Sequence, residues 1–123
     1  MAEKDPESYL PALGDTLNNL GLLDSDQDRN VEARKEYEEA LKIRRELAEK
    51  NREAYLPDVA DTLNNLGLLD CAQNRIAEAS QKYAEALQIY ETVAKQNPER
   101  FSADVTRVKE LLAKLPIPMM QRH

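Results

Sequence analysis

The amino-acid sequence predicts an all-α fold, a right-handed α-solenoid of two antiparallel helix pairs followed by a C-terminal capping helix. The main observation is an internal repeat: the segment that begins at Tyr9 recurs from Tyr55, a period of 46 residues (55 − 9). The string TLNNLGLLD occupies 16–24 and again 62–70. Repeats of this length are typical of stacked helix pairs, because one pair alone cannot bury its apolar face.

The composition agrees with a charged helical protein and excludes several classes. The chain of 123 residues is 41% hydrophobic and 33% charged, with a net charge of −6. Nucleic acids and anionic membranes are therefore disfavoured as partners, because phosphate binding needs clustered positive charge. No apolar run approaches the ~20 residues of a membrane span, and residues 1–5 lack the features of a signal peptide. Since the one cysteine, Cys71, has no partner for an internal disulfide, a cytoplasmic location is expected.

The first helix of each pair is predicted from apolar residues spaced three and four apart, a stripe that stacking should bury. This stripe is Leu10, Leu13, Leu17, Leu20 and Gly21, repeated as Leu56, Val59, Leu63, Leu66 and Gly67. Pro11 and Pro57 are expected near the helix starts, where a missing N–H costs little; the alternative is a longer helix that begins upstream. The polar segments 24–28 and 70–74 are predicted turns.

The second helix of each pair has small residues around one aromatic residue, which indicates close approach of two helices. Its inner face is Ala33, Tyr37, Ala40, Leu41, Arg44 and Leu47, repeated as Ala79, Tyr83, Ala86, Leu87, Tyr90 and Val93. The outer face is charged, and a run of basic residues is interleaved with glutamates: Lys42, Arg44, Arg45, Lys50 and Arg52 with Glu46, Glu49 and Glu53. This alternation indicates ion pairing within the helix rather than a phosphate-binding patch.

A fifth helix is predicted from Asn97 as N-cap and Pro98 at the first helical position, running to about Lys114 before Pro116 ends it. We interpret it as a degenerate third repeat that caps the solenoid. The predicted organisation is a lead-in 1–8, repeats 9–54 and 55–100, a capping helix 101–115 and a tail 116–123.

These residues resemble a known family. The matching positions are Leu17, Leu20, Gly21, Ala33, Tyr37 and Ala40, and again Leu63, Leu66, Gly67, Ala79, Tyr83 and Ala86. Their spacing resembles the tetratricopeptide repeat, and the long period with its LNNLG string is most similar to the kinesin-light-chain subclass. The resemblance implies docking of a protein or peptide, without fixing the partner.

Asp24 and Asp70 depart from that family's pattern, which usually has a large residue at their position. One interpretation is that the helix ends there and the carboxylate reaches water. The other is a loosened hairpin that can exchange helices with a second chain.

A peptide-binding groove is predicted on the side of the first helices opposite the apolar stripe, given about 100° of rotation per residue. The candidate residues are Asp15, Asn18, Asn19, Leu22, Asp61, Asn64, Asn65 and Leu68, with Arg107 from the last helix. Asparagine both donates and accepts, so it suits the backbone of an extended peptide. The resemblance also implies a backbone-holding role for Asn19 and Asn65. The alternative is that the asparagines bond between neighbouring helices and touch no ligand.

The expected function is a non-catalytic protein-interaction module for an extended or helical peptide, neutral or basic because Asp15 and Asp61 face the groove. No catalytic residue, metal site or cofactor is expected: His123 is the only histidine, and Cys71 has no histidine nearby in sequence. The alternatives are a self-associating unit, such as a homodimer, and a fragment of a longer repeat array.

Overall fold

The computed structural model describes residues 6–116, which form five α-helices with no strand in that range. The helices are α1 (Pro6–Asp26), α2 (Asn30–Lys50), α3 (Arg52–Ala72), α4 (Ile76–Gln96) and α5 (Pro98–Ala113). Residues 6–8 of the predicted lead-in therefore belong to α1, while the rest of it lies outside the described residues. Of the predicted tail, residues 117–123, including His123, also lie outside them.

Each helix packs against its neighbours in sequence: α1 on α2, α2 on α3, α3 on α4 and α4 on α5. The connections are one to three residues long, so successive helices run antiparallel. This order confirms the predicted all-α solenoid of two helix pairs and a capping helix. It leaves α1, α3 and α5 together on one side, where the groove is predicted.

The first helix of each pair begins further upstream than the prolines suggested. Pro11 and Pro57 are each the sixth residue of their helix, so the alternative of a longer helix is correct. At the start of α3, Asn51 Oδ1 accepts a hydrogen bond from the backbone N–H of Ala54 at 3.2 Å. Asn97 caps α5 in the same way, through the N–H of Arg100 at 3.3 Å, which confirms the predicted N-cap.

The turns within the pairs begin later than predicted, because α1 continues to Asp26 and α3 to Ala72. Asp28 and Asn74 then adopt φ values of 62° and 61°. This is the left-handed region that Asp and Asn tolerate better than most residues. The same turn thus closes both pairs.

The core differs between the two repeats despite their similar sequences. Leu66 is fully buried with Leu69, Ala33 and Tyr37 at the junction of the repeats, and a larger cluster lies between α3, α4 and α5. Leu20, the counterpart of Leu66, remains 40% exposed. The prediction that this stripe is buried is therefore wrong for Leu13 and Leu20 of α1, whereas Gly21 is buried. No helix among residues 6–116 covers the outer side of α1.

Candidate peptide-binding groove

A cavity of about 490 Å³ opens on the side of the solenoid formed by α1, α3 and α5. Its lining is Asn18, Pro57, Asp58, Asp61, Asn64, Asn65, Arg100, Phe101, Asp104 and Arg107. Five of the nine predicted groove residues are among them, namely Asn18, Asp61, Asn64, Asn65 and Arg107. The first helices of the repeats come together here because stacking aligns equivalent positions of α1, α3 and α5.

Asn18 connects the first helices of the two repeats. Its Oδ1 accepts hydrogen bonds from Thr62 Oγ1 at 3.1 Å and from Asn65 Nδ2 at 3.2 Å. The side chain is buried, and these bonds hold it in place. The Oδ1 of Asn18 and one amide proton of Asn65 are therefore used in bonds between neighbouring helices. This is the alternative to ligand contact that was considered from the sequence.

Asn64 differs from Asn18 because its oxygen has no partner. The residue is only 7% exposed, and its Oδ1 receives no hydrogen bond. A buried acceptor without a donor costs about 1–3 kcal/mol. Asn64 itself lines the cavity, so this unpaired acceptor belongs to a residue of the cavity wall.

Arg44 supports the groove from behind, a role that sequence reasoning missed. This buried arginine of α2 donates from Nη1 to Thr62 Oγ1 at 2.8 Å and to the Asp58 carbonyl at 3.2 Å. Its Nη2 donates to Asp15 Oδ1 at 2.9 Å. Asp15, a predicted groove residue, is therefore paired with Arg44 and does not line the cavity.

The prediction of ion pairing within α2 is wrong for its two central arginines. Arg44 pairs with Asp15 of α1, and Arg45 Nη1 pairs with Glu85 Oε2 of α4 at 2.7 Å. The available signal was the position of Arg44 on the same helical stripe as Tyr37 and Ala40. A charged residue on a buried stripe needs a partner on another helix.

Asp61, in the cavity wall, is bonded to a buried tyrosine of the adjacent helix α4 that does not itself line the cavity. Tyr90 donates its hydroxyl proton to Asp61 Oδ1, and Arg107 Nη2 lies 3.5 Å from the same hydroxyl oxygen. Partial desolvation raises the pKa of the Asp61 carboxyl, and the hydrogen bond from Tyr90 opposes that rise. Arg107 also pairs with Asp104 at 3.0 Å, so it is held within the wall.

The cavity is acidic on balance. Asp58, Asp61 and Asp104 face Arg100 and Arg107 among its lining residues. Burial raises the pKa of Asp58 as well. Asp58, Asp104, Arg100 and Phe101 were missed as groove residues, although the 46-residue period aligns Asp104 with Asp58 (104 − 58).

The remaining three predicted residues lie outside the cavity lining. Asn19 is exposed, as are Leu22 and Leu68. Leu22 and Leu68 each follow Asn18 and Asn64 by four residues, one helical turn along the same stripe. They form an exposed apolar margin beside the cavity.

The surroundings of Asp70 contradict both interpretations that the sequence suggested for this aspartate. It is fully buried, with Oδ1 2.6 Å from Arg34 Nη2 and Oδ2 2.8 Å from Lys82 Nζ. The carboxylate therefore does not reach water, and α3 does not end there. Since Lys82 ties α3 to α4, the loosened-hairpin interpretation is wrong for the second pair.

Across residues 6–116, no cluster of three or more His, Cys, Asp or Glu side chains could hold a metal ion. None of the five helices there is long and apolar enough to cross a membrane.

Comparison with known protein families identifies the repeat. The family model described as "Tetratricopeptide repeat" matches residues 12–92, which is 81 of the 123 residues (92 − 12 + 1). The matched range takes in most of α1 and α4 and the whole of α2 and α3. Comparison with curated proteins found no matching relative.

Proposed function

The chain belongs to the tetratricopeptide repeat family, and from that premise we propose that it binds a peptide segment of another protein in the groove formed by α1, α3 and α5. Repeats of this family generally mediate protein–protein interaction and are typically non-catalytic. The proposed role is therefore recognition without chemistry. The residues proposed to contact the ligand are Asn64, Asn65, Asp61 and Arg107, with Leu22 and Leu68 beside them.

The observation that carries this proposal is the unpartnered oxygen of Asn64. Its Oδ1 is buried without a hydrogen-bond donor in the wall of a cavity that also contains Asn65. A backbone N–H of a bound peptide supplies the missing donor. Asn65 uses one of its two amide protons on Asn18, so the other remains for a peptide carbonyl.

The charge of the groove supports a neutral or basic ligand. Its three aspartates outnumber its two arginines, and the whole chain has a net charge of −6. Complementary charge speeds association and selects among partners more than it adds affinity. Binding should therefore weaken as the salt concentration rises.

We also propose that the repeats belong to the kinesin-light-chain-like subclass. The support is the LNNLG string at 17–21 and 63–67, together with first helices that start 46 residues apart (52 − 6). This assignment to a subclass does not identify the binding partner.

The groove is tested with a peptide selected from a random library and matched amide variants. Asn64→Ala and Asn65→Ala should each weaken binding about tenfold, equal to about 1.4 kcal/mol. Gln81→Ala, which removes an exposed amide of α4 that does not line the cavity, should leave the Kd unchanged. Unchanged affinity of folded Asn64→Ala, or a selection that yields no ligand, would reject the proposal.

Self-association is the second candidate function. It is favoured by the exposed side chains of Leu13, Leu20 and Leu23 on α1, because apolar patches of this kind mark contact surfaces. Light scattering over a concentration series distinguishes it: a constant mass near 14.0 kDa argues for the monomeric module. If the repeats belong to a longer array, the groove proposal is unchanged.

A further inference from the structure

The junction between the two repeats shows how a helix recognises the outer side of α3, which is the side that packs against α2 of the preceding repeat. Leu66 and Leu69 pack with Ala33 and Tyr37 of α2. Beside them, Arg34 Nη2 donates to Asp70 Oδ1 at 2.6 Å. The same nitrogen donates to Gln73 Oε1, also at 2.6 Å. The recognition pattern on α2 is thus an alanine, an arginine and a tyrosine at 33, 34 and 37.

The outer side of α1 has equivalent residues, but none of the helices among residues 6–116 covers it. Leu20 and Leu23, the counterparts of Leu66 and Leu69, are 40% and 53% exposed where their counterparts are 0% and 2% exposed. Asp24 and Gln27 stand at the positions of Asp70 and Gln73. We call Leu13, Leu20, Leu23, Asp24 and Gln27 the α1 end face.

The polar part of the α1 end face lacks the cations that satisfy Asp70. Asp24 is 8% exposed, and among residues 6–116 its cationic neighbour is Arg29, with Nη1 at 3.9 Å. Where Lys82 serves Asp70, the first repeat has Glu36. Glu36 Oε1 is buried without a hydrogen-bond donor. The carboxyl groups of Glu36 and Asp24 therefore meet where the second repeat has the ion pair of Lys82 and Asp70.

Partial burial and the neighbouring Asp24 both raise the pKa of Glu36. The other charged groups that act on this carboxyl are Glu32 and Lys35 of α2, and only Lys35 opposes the rise. The local field is therefore negative. A positively charged group arriving from outside relieves it.

We propose that the α1 end face is a docking site for an amphipathic helix of a partner protein that presents alanine, arginine and tyrosine at the spacing of Ala33, Arg34 and Tyr37. The apolar residues cover Leu20 and Leu23. The guanidinium binds Asp24, Gln27 and Glu36, as Arg34 binds Asp70 and Gln73. This site is independent of the groove, since none of its residues lines the groove cavity.

A second copy of this chain does not offer the required helix. Its Arg34 is already bonded to Asp70 of its own α3, and its α4 has Ser80 where α2 has Arg34. Two α1 end faces packed on each other would bring two pairs of carboxyl groups together, which is unfavourable. Charge complementarity therefore favours a different chain.

The probe for this site is a peptide with the sequence of residues 29–51, because that segment already recognises the equivalent face of α3. A staple between positions 38 and 42, both exposed in α2, keeps it helical, and circular dichroism verifies the helix. Titration into isotope-labelled protein should shift the amide resonances of Leu20, Leu23 and Asp24 in a saturable manner. The same peptide with Arg34→Ala should bind about tenfold more weakly.

Two protein variants separate this site from the groove. Glu36→Lys should abolish the advantage of the arginine peptide over its Arg34→Ala form, since the site then holds its own cation. Asn64→Ala should leave peptide binding unchanged. Three outcomes would each overturn the proposal. The helical peptide does not bind, the two peptides bind equally well, or the shifts are confined to α3 because the peptide displaces the native α2.

Discussion

The ring of Tyr83 lies directly on the backbone of Gly67: a Cβ atom added to this glycine would be 2.5 Å from Tyr83 Cε1. Gly21 and Tyr37 repeat the arrangement at the same 2.5 Å. Real Cβ atoms do not approach an aromatic carbon so closely, and both rings are buried. The two helices of each pair therefore need glycine where the tyrosine crosses.

Gly67→Ala should lower the free energy of unfolding by about 1–3 kcal/mol, the usual cost of overpacking a core. Gly14→Ala is the matched control, because its Cβ would meet Arg44 Cγ at an ordinary 3.5 Å. That variant should gain up to about 1 kcal/mol of helix propensity. Urea denaturation of both variants gives the comparison, and equal stabilities would show that Tyr83 moves away freely.

Asp70→Asn should destabilise the fold by about 3–5 kcal/mol, because it leaves Arg34 and Lys82 without their buried partner. Asp24→Asn is the control at the equivalent position. Asp24 has neither partner and lies against Glu36, so its neutralisation should be nearly neutral or stabilising. Thermal melts of the two variants test this, and a similar loss in both would contradict the asymmetry.

Glu36→Lys should stabilise the first repeat, because it gives Asp24 the cation that Lys82 gives Asp70. The site is partly open to water, so the expected gain is about 0.5–1 kcal/mol. A double-mutant cycle with Asp24→Asn isolates the pair: the gain should vanish when Asp24 is neutral. Persistence of the full gain in the double variant would assign it to another cause.

Tyr90→Phe should destabilise the protein by about 1–2 kcal/mol at pH 7 and by less at pH 4. Partial desolvation raises the pKa of Asp61 in the folded protein above its value in the unfolded chain. Ionisation of Asp61 therefore lowers the stability at a pH above the folded-state pKa, and this cost disappears at a pH below the unfolded-state pKa. The Tyr90 hydroxyl, whose own pKa is raised by burial, stays protonated and donates to the carboxylate. Its removal raises the Asp61 pKa further.

Chemical denaturation of wild-type and Tyr90→Phe protein at several pH values measures this dependence. Thr92→Val, which replaces an exposed hydroxyl of the same helix, serves as the control and should show no pH-dependent difference. A Tyr90→Phe loss that is constant from pH 4 to 7 would mean that the hydroxyl does not interact with ionised Asp61.

Local sequence signals determined the helices and the side of the solenoid on which the cavity opens. The 46-residue repeat (55 − 9) and the apolar spacing predicted the solenoid, and Asn97 with Pro98 marked the start of α5. The rotation of about 100° per residue also placed Asn18, Asp61, Asn64 and Asn65 on one side, where the cavity lies and where Arg107 of the last helix joins them. These signals suffice because helix periodicity and capping act within a few residues.

Only the tertiary structure decided which of the repeated residues are buried and which polar groups meet. Leu20 and Leu66 stand in the same nine-residue string, yet one is 40% exposed and the other 0%. Asp70 meets Arg34 from a different helix pair, whereas Asp24 meets Glu36. Burial and charge pairing depend on the next helix in space, and the residues around a position in sequence do not specify which helix that is.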